Sequence, residues 1–463
     1  MPFARSAAER VRAEQTAASK PQRLSRRLSA LEELTVSYST AAGVRICGTV
    51  CEVGGNEIRI KGLSAFAHIG DLITIGVGGR EQLAEVIHLD PHVTSAIPHQ
   101  KQANISLGAR ATLLGLPAIR PDKSWLGRVV DPLGQALDDR GELSLGRERL
   151  LLDREPPRAL TRNRVTSKLK TGIKTIDAFM PICNGQRLGI FAGSGVGKST
   201  LLAMLSAVPD VSVVVLALVG ERGREVREFL EDVLSSRRER VVSVVATGDA
   251  SPAVRRLAPK TAMTIAEFFR SQGHNVLLMI DSITRFAHAQ REYALTSGEP
   301  PVARGYPPSV FAEIARLLER SGPGPAGEGD ITVFSTVLVD GDDHNDPVSD
   351  AVRGILDGHI VLDRKIAAMG RWPAIDLLSS LSRLADKVWS PHEEVAVRSA
   401  RALVAKYEDT RDLRLIGGYQ PGTDPELDKA VAFAPRLYEY LKQRPAEIVS
   451  EDPIKGISSL LKP

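Results

Sequence analysis

The chain has 463 residues, 43% hydrophobic and 25% charged, an ordinary globular composition with room for two to four domains. A net charge of +4 is too small to argue for nucleic acid, and three cysteines (Cys47, Cys51, Cys183) make neither a disulfide framework nor a zinc site. No run of about 18 apolar residues occurs and the N-terminus lacks the apolar core of a signal peptide, so a cytoplasmic protein is expected.

Residues 1–33 are the most basic part, with Arg5, Arg10, Arg12, Lys20, Arg23, Arg26 and Arg27, and Leu24, Leu28, Leu31 and Leu34 fall on one stripe of a helix. Two readings stand: a segment that docks on a partner or an acidic membrane, and a frayed terminus. Residues 34–105 carry short alternating runs, "VRICGTVCEVGGNEIRIKGL" and "DLITIGVGGREQLAEVIHL", broken by Gly-Gly and Asn; they predict a small antiparallel barrel or sandwich. All three cysteines are expected to be buried small hydrophobes.

Over residues 106–378 apolar runs alternate with helical patterns. "QRLGIFA", "VSVVVLALV", "RVVSVVAT", "NVLLMID" and "DITVFSTVL" predict buried parallel strands of a doubly wound α/β sheet, and "SGPGPAGEGD" a loop. Helical patterns at 388–410 and 425–444 then predict an α-helical C-terminal domain, 379–463.

"FAGSGVGKST" follows the strand "QRLGI" and opens the helix "STLLAML". The order strand, glycine loop, helix is that of a P-loop, with Ala192 where the strict pattern has Gly. The segment Ala192, Gly193, Ser194, Gly195, Val196, Gly197, Lys198, Ser199 and Thr200 is therefore the candidate phosphate site. Backbone N–H groups at Gly193, Gly195 and Gly197 and the helix N-terminus face the phosphate oxygens. Lys198 is placed to reach the β- and γ-phosphates, and the Ser199 hydroxyl to ligate Mg²⁺. "NVLLMIDSITRF" sets Asp281 at the carboxyl end of a buried strand, a second contact to the Mg²⁺ shell. No guanine-reading motif is present, so ATP is expected rather than GTP.

"VSVVVLALV" runs into "GERGREVRE". Glu221 then stands at another strand tip, where a carboxylate faces the γ-phosphate and polarises the attacking water. Glu225 and Glu228 come once the helix is under way and belong to its wet face.

These residues carry a resemblance. "TGIKTIDAFMPICNGQRLGIFAGSGVGKST", "VGERGREV" and "LLMIDSITRFAHAQRE" resemble the rotary and secretion ATPases related to the catalytic subunits of F- and V-type ATP synthases. "ARGYPPSVFAEIARLLERSG" and "DGDDHNDPVSDAVRGILDGHIVLDR" are similar to the type III protein-export ATPases, the flagellar member more than its virulence relative.

The resemblance implies a RecA-like core, with Lys198 and Ser199 on phosphate and magnesium, Glu221 as catalytic carboxylate and Arg222 as its phosphate-side neighbour. It implies that Arg383, in "SLSRLA", is an arginine finger given to the adjacent subunit's nucleotide. Trp372, in "GRWPAID", matches an aromatic packed on adenine; a core tryptophan beside Pro373 is the other reading. The acidic loop "DGDDHNDP" resembles one lining the central channel of hexamers.

The expectation is thus a Mg²⁺-dependent ATPase, hexameric when active, that energises type III export of flagellar proteins. Its implied partners are further copies of itself, a regulator at the N-terminal segment, a central coiled-coil stalk, export-gate membrane proteins and chaperone–substrate complexes. A virulence secretion ATPase is the alternative. A rotary synthase subunit is a weaker one, because "GYQPGTDPELDKA" replaces the acidic text of that subunit. Phe66 is the only aromatic between Val44 and Ile105, which speaks against a nucleic-acid translocase.

Overall fold

A computed structural model describes residues 45–462 apart from 56, 101–103, 166, 340–345, 446, 448 and 450; for residues 232–237 it describes the backbone alone. The basic segment 1–33 and nearly all of the acidic loop at 340–347 lie outside the described residues.

The first strands alternate as a half-buried sheet must. In "IRIK" Ile58 and Ile60 turn inward while Arg59 and Lys61 stay in water. Strands β1 (Cys47–Val53), β2 (Ile58–Lys61), β3 (Leu72–Val77), β4 (Arg80–Leu89), β5 (Val93–Pro98) and β6 (Arg110–Gly115) close into a barrel in the order β1-β2-β5-β4-β3-β6. Of the barrel and the sandwich, the barrel is the one found, and closure leaves no open edge. Gly78 and Gly79 link β3 to β4 with φ of 53° and 83°, the two left-handed positions that a tight hairpin demands. The closing strand β6 lies beyond residue 105, where the alternating texture fades.

One expectation fails here. Cys183 is buried, but Cys51 is exposed and Cys47 half-buried, because both fall on the outward face of β1, whose inward residues are Gly48 and Val50.

The central sheet is built from β7 (Val129–Val130), β8 (Arg187–Ala192), β9 (Val213–Val219), β10 (Val241–Ala246), β11 (Val276–Asp281), β12 (Gly322–Pro323), β13 (Asp330–Leu338), β14 (Gly358–Leu362) and β15 (Leu381–Ser382). Its order is β15-β14-β8-β13-β11-β9-β10-β7, with β12 antiparallel against β13. The five apolar runs read as strands are all there, paired in parallel. The expected loop "SGPGPAGEGD" instead starts with β12, so it is a hairpin into β13.

Helices α1 (Lys198–Ser206), α2 (Gly223–Arg237), α3 (Leu257–Arg270), α4 (Ile283–Thr296), α5 (Pro308–Glu319) and α6 (Pro347–Ile355) belong to this sheet. Every residue of β9 is buried. Val213, Val215, Ala217 and Val219 join one core with α3 to α6, and Val214 and Leu216 join a second with α1. Two covered faces explain why the run is continuous rather than alternating.

Helices α7 (Pro391–Asp409), α8 (Pro425–Leu441) and α9 (Pro453–Leu460) form the C-terminal unit, and Val397, Phe433 and Ile457 place them in the same core as α1. Each begins with a capping side chain followed by Pro: Ser390-Pro391, Asp424-Pro425 and Asp452-Pro453. At α7 the cap is a full capping box with Glu393.

Charges bolt the units together. Glu85 of β4 is buried and accepts from Arg256 and, at 2.9 Å, from the Tyr293 hydroxyl of α4. Burial alone would raise the Glu85 carboxyl; Arg256 and His99 outweigh it and hold it below the ordinary range.

Beneath the sheet, Arg320 is 1% exposed and bidentate to Glu267 at 2.9 Å through both Nε and Nη2. It also donates to the Leu152 carbonyl at 2.7 Å and to Thr264 Oγ1 at 2.9 Å. Arg320→Ala strips that partner from a buried carboxylate and should cost about 3–5 kcal/mol in urea denaturation. Arg320→Met with Glu267→Leu, which removes both charges, should recover most of it; a single variant within about 1 kcal/mol of the native chain contradicts this account.

Candidate functional site

β8 ends at Ala192 and α1 begins at Lys198, with five residues between them. Gly195 and Gly197 take φ of 76° and 92°, a conformation that favours glycine and turns backbone N–H groups into the loop's hollow. Val196 is buried and anchors the loop from below, while Ser194 and Ser199 are exposed. Gly197 is doubly constrained: a Cβ there would lie 2.3 Å from Cζ3 of Trp372. Trp372, 38% exposed, thus packs one edge on the P-loop and keeps part of its ring open.

The sheet register carries the remaining groups to the same place. β8, β13, β11 and β9 are consecutive neighbours, so their carboxyl ends form one rim. Asp281 is the last residue of β11, paired with Leu218 of β9, and Glu221 follows Val219 by two residues. The turn at Glu221 is pinned by backbone: Gly220 N donates to the Ala246 carbonyl at 2.7 Å and Gly248 N to that of Glu221 at 3.0 Å.

Lys198 closes the group. Its Nζ lies 2.7 Å from Asp281 Oδ1 and 3.2 Å from Glu221 Oε1, and Thr336 Oγ1 of β13 donates to the same Asp281 oxygen at 2.7 Å. Burial opposes the charge on Lys198, but Asp281 and Glu221 prevail and hold the ammonium above the ordinary lysine range. It is therefore a fixed cation at neutral pH. One ammonium between two carboxylates leaves the trio one charge negative, a surrounding that suits a triphosphate only in company with a cation. The donors at hand, carboxylate and hydroxyl oxygens, are those that Mg²⁺ takes.

Two expected members stand apart. Arg222 is 88% exposed at its side chain, with Nη1 3.6 Å from Glu225. Arg383 is exposed at the far end of the sheet. Its N donates to the Asp357 carbonyl and Asp357 N to that of Arg187, the first residue of β8. The P-loop leaves the other end of that six-residue strand, about 20 Å away. The rest of "GERGREVRE" is a wet helix face, with Arg224–Glu228 at 2.8 Å and Arg227–Glu231 at 2.9 Å.

Arg285 was not among the expected residues. It sits in the first turn of α4, right after Asp281, and its aliphatic stem runs within 3.4 Å of where a Gly220 Cβ would be. Its Nε is buried with no hydrogen-bond partner among the described residues, an unspent donor beside Glu221's turn. Arg364 also reaches the loop, donating to the Ser194 carbonyl at 3.3 Å.

Residues 172–382 match the ATP synthase alpha/beta family, nucleotide-binding domain, and residues 389–454 the T3SS EscN ATPase C-terminal domain. The flagellum-specific ATP synthase of Agrobacterium fabrum is 50% identical over 425 residues, 92% of this chain and 89% of that one. The assembled ATPase EscN of the enteropathogenic E. coli type III secretion system superposes with a TM-score of 0.83 at 40% identity, covering 89% of this chain and 100% of that one. The same ATPase in complex with its central stalk EscO gives 0.82 at 39% identity, with the same coverage. The barrel, the P-loop sheet and the C-terminal helices thus place this chain in the family of flagellum-specific ATP synthases and type III secretion ATPases.

Proposed function

We propose that the chain is a Mg²⁺-dependent ATP hydrolase that works as a ring of six copies and energises type III export of flagellar proteins. The observation that carries the reading is Lys198 held between Glu221 and Asp281 at the strand tips, directly above a P-loop. Phosphate oxygens take the N–H groups of Gly193, Gly195 and Gly197 and the N-terminus of α1. They also compete for Lys198, and its transfer to them frees both carboxylates. Asp281 and the Ser199 hydroxyl would hold Mg²⁺, which when bound draws charge off the phosphate oxygens. Glu221, no longer paired, accepts hydrogen bonding from the attacking water and orients it. The open part of Trp372 stacks the base, and Arg222 reaches the phosphates only by leaving Glu225.

Arg383 serves the neighbouring copy, so each site is completed across an interface. The partner reading follows the units: residues 1–33 meet a regulator, the channel side of 106–378 a coiled-coil stalk, and 379–463 chaperone–substrate complexes. The stalk-bound relative supports the stalk. Attachment at export-gate proteins on the cytoplasmic side is peripheral in this reading; none of the helices among the described residues is long and apolar enough to cross a membrane.

The 50% identity to a flagellar relative, against 40% to EscN, favours the flagellar machine over a virulence one. Deleting the gene should abolish flagellar filaments, and a plasmid copy of the native chain should restore them where Glu221→Gln does not. A deletion strain that keeps its filaments but loses secreted effector proteins would move the chain to the virulence reading.

A further inference from the structure

Just past the end of α8 a single residue joins three segments of the chain, two through its carboxamide and the third through its backbone N–H. Gln443 is 4% exposed. Its backbone N donates to the carbonyl of Trp372 at 2.9 Å. Its Oε1 accepts from Lys174 N at 3.0 Å, and its Nε2 donates to the Gly172 carbonyl at 2.7 Å and to that of Glu447. Both donors and the acceptor of the amide are thereby engaged, so its orientation is fixed.

The far side of this clasp is firm. The buried Asp177 carboxylate accepts from Thr171 N and from Gly172 N, each at 2.9 Å. Lys174 Nζ returns to the α8 end, donating to the Tyr440 carbonyl at 3.0 Å. On the near side stands Trp372, wedged on Gly197. The clasp therefore runs from the segment ahead of the P-loop strand, through the C-terminal helices, to the aromatic ring over the phosphate loop.

We propose that Gln443 is a positioning residue that holds Trp372 on Gly197 and makes affinity for the nucleotide base depend on the placement of the C-terminal helices. It rests on the reading of Trp372 as the base-stacking residue. A purely structural Gln443 would weaken the fold without preferring one ligand; a positioning Gln443 weakens only ligands that have a base. A load on α7 to α9 would move the Trp372 carbonyl with Gln443 and shift the ring relative to the loop. Nucleotide exchange would then be gated from the C-terminal unit.

The test measures calorimetric affinities of full-length protein for ADP and for inorganic tripolyphosphate, which has no base and addresses only the phosphate loop. The variants are Gln443→Ala, Gln443→Met (which keeps the volume should the alanine fail to fold), Trp372→Ala and the Gln443→Met/Trp372→Ala pair. Loss of the amide, which leaves the Gln443 backbone and the Trp372 carbonyl bonded to it free to shift, should weaken ADP about five- to tenfold and leave tripolyphosphate within about twofold. In the pair, Gln443→Met should add less than about twofold to the loss from Trp372→Ala. Equal losses for both ligands, or additive losses in the pair, overturn the proposal. If Trp372→Ala weakens ADP and Gln443→Met does not, the proposal alone falls. If Trp372→Ala leaves ADP affinity unchanged, the base-stacking reading falls and the proposal with it.

Discussion

Glu221→Gln is expected to bind ATP within about twofold of the native chain and to hydrolyse it about a thousandfold more slowly. The substitution keeps the shape and leaves an amide oxygen for Lys198 Nζ, now 3.2 Å from Glu221 Oε1. What it removes is the negative charge that polarises water. Binding should hold, since one carboxylate fewer faces the phosphates. The two halves are separable by calorimetry with ATP and by phosphate release under single-turnover conditions. An enzyme that still turns over within about threefold of native would place the base elsewhere, and Asp281 would then be the group to substitute next.

How much of this was legible in the sequence depends on the distance over which each signal acts. The central strands were legible because burial on two faces forces uninterrupted apolar runs, as in β9. The P-loop was legible because strand, glycines and lysine are contiguous. The trio Lys198, Glu221 and Asp281 was reachable because each residue ends or follows a strand that the sequence itself announces.

What escaped the sequence has physical causes as well. β6 belongs to the barrel by its hydrogen bonds to β1 and β3, and "RATLLG" alternates too poorly to show it. Arg285 reads as an ordinary arginine of "DSITRF"; only its stem against Gly220 and its buried Nε distinguish it. Gln443 is a polar residue at a helix end until the backbone brings Trp372 and Gly172 to it. The third C-terminal helix did have a local signal, Asp452-Pro453 before an apolar stretch, the same cap-and-proline start as α7 and α8. Arg222 and Arg383 show the opposite case, residues assigned by resemblance that the single chain leaves outside its own site.

That separation makes the second large effect a statement about assembly. Arg383→Ala should lower turnover about a thousandfold, in line with arginine fingers elsewhere. The fold should survive, because the side chain is exposed and, among the described residues, its hydrogen bond runs only to the Arg353 carbonyl at 3.3 Å. Native specific activity should rise with protein concentration as copies meet and fingers enter neighbouring sites. Mixing then decides the geometry. Arg383→Ala protein keeps Glu221, and Glu221→Gln protein keeps Arg383, so both are silent alone. In rings formed from equal amounts, a site works when the copy bearing Glu221 is followed by one bearing Arg383. Random order makes that about one interface in four, so about a quarter of native activity should return if sites act independently. A guanidinium acting on its own chain's nucleotide gives a mixture as silent as its parts, whatever the ratio. The length of β8, about 20 Å, argues against that outcome, since neither the strand nor the Asp357 hydrogen bond lets Arg383 cross from one end of the sheet to the other.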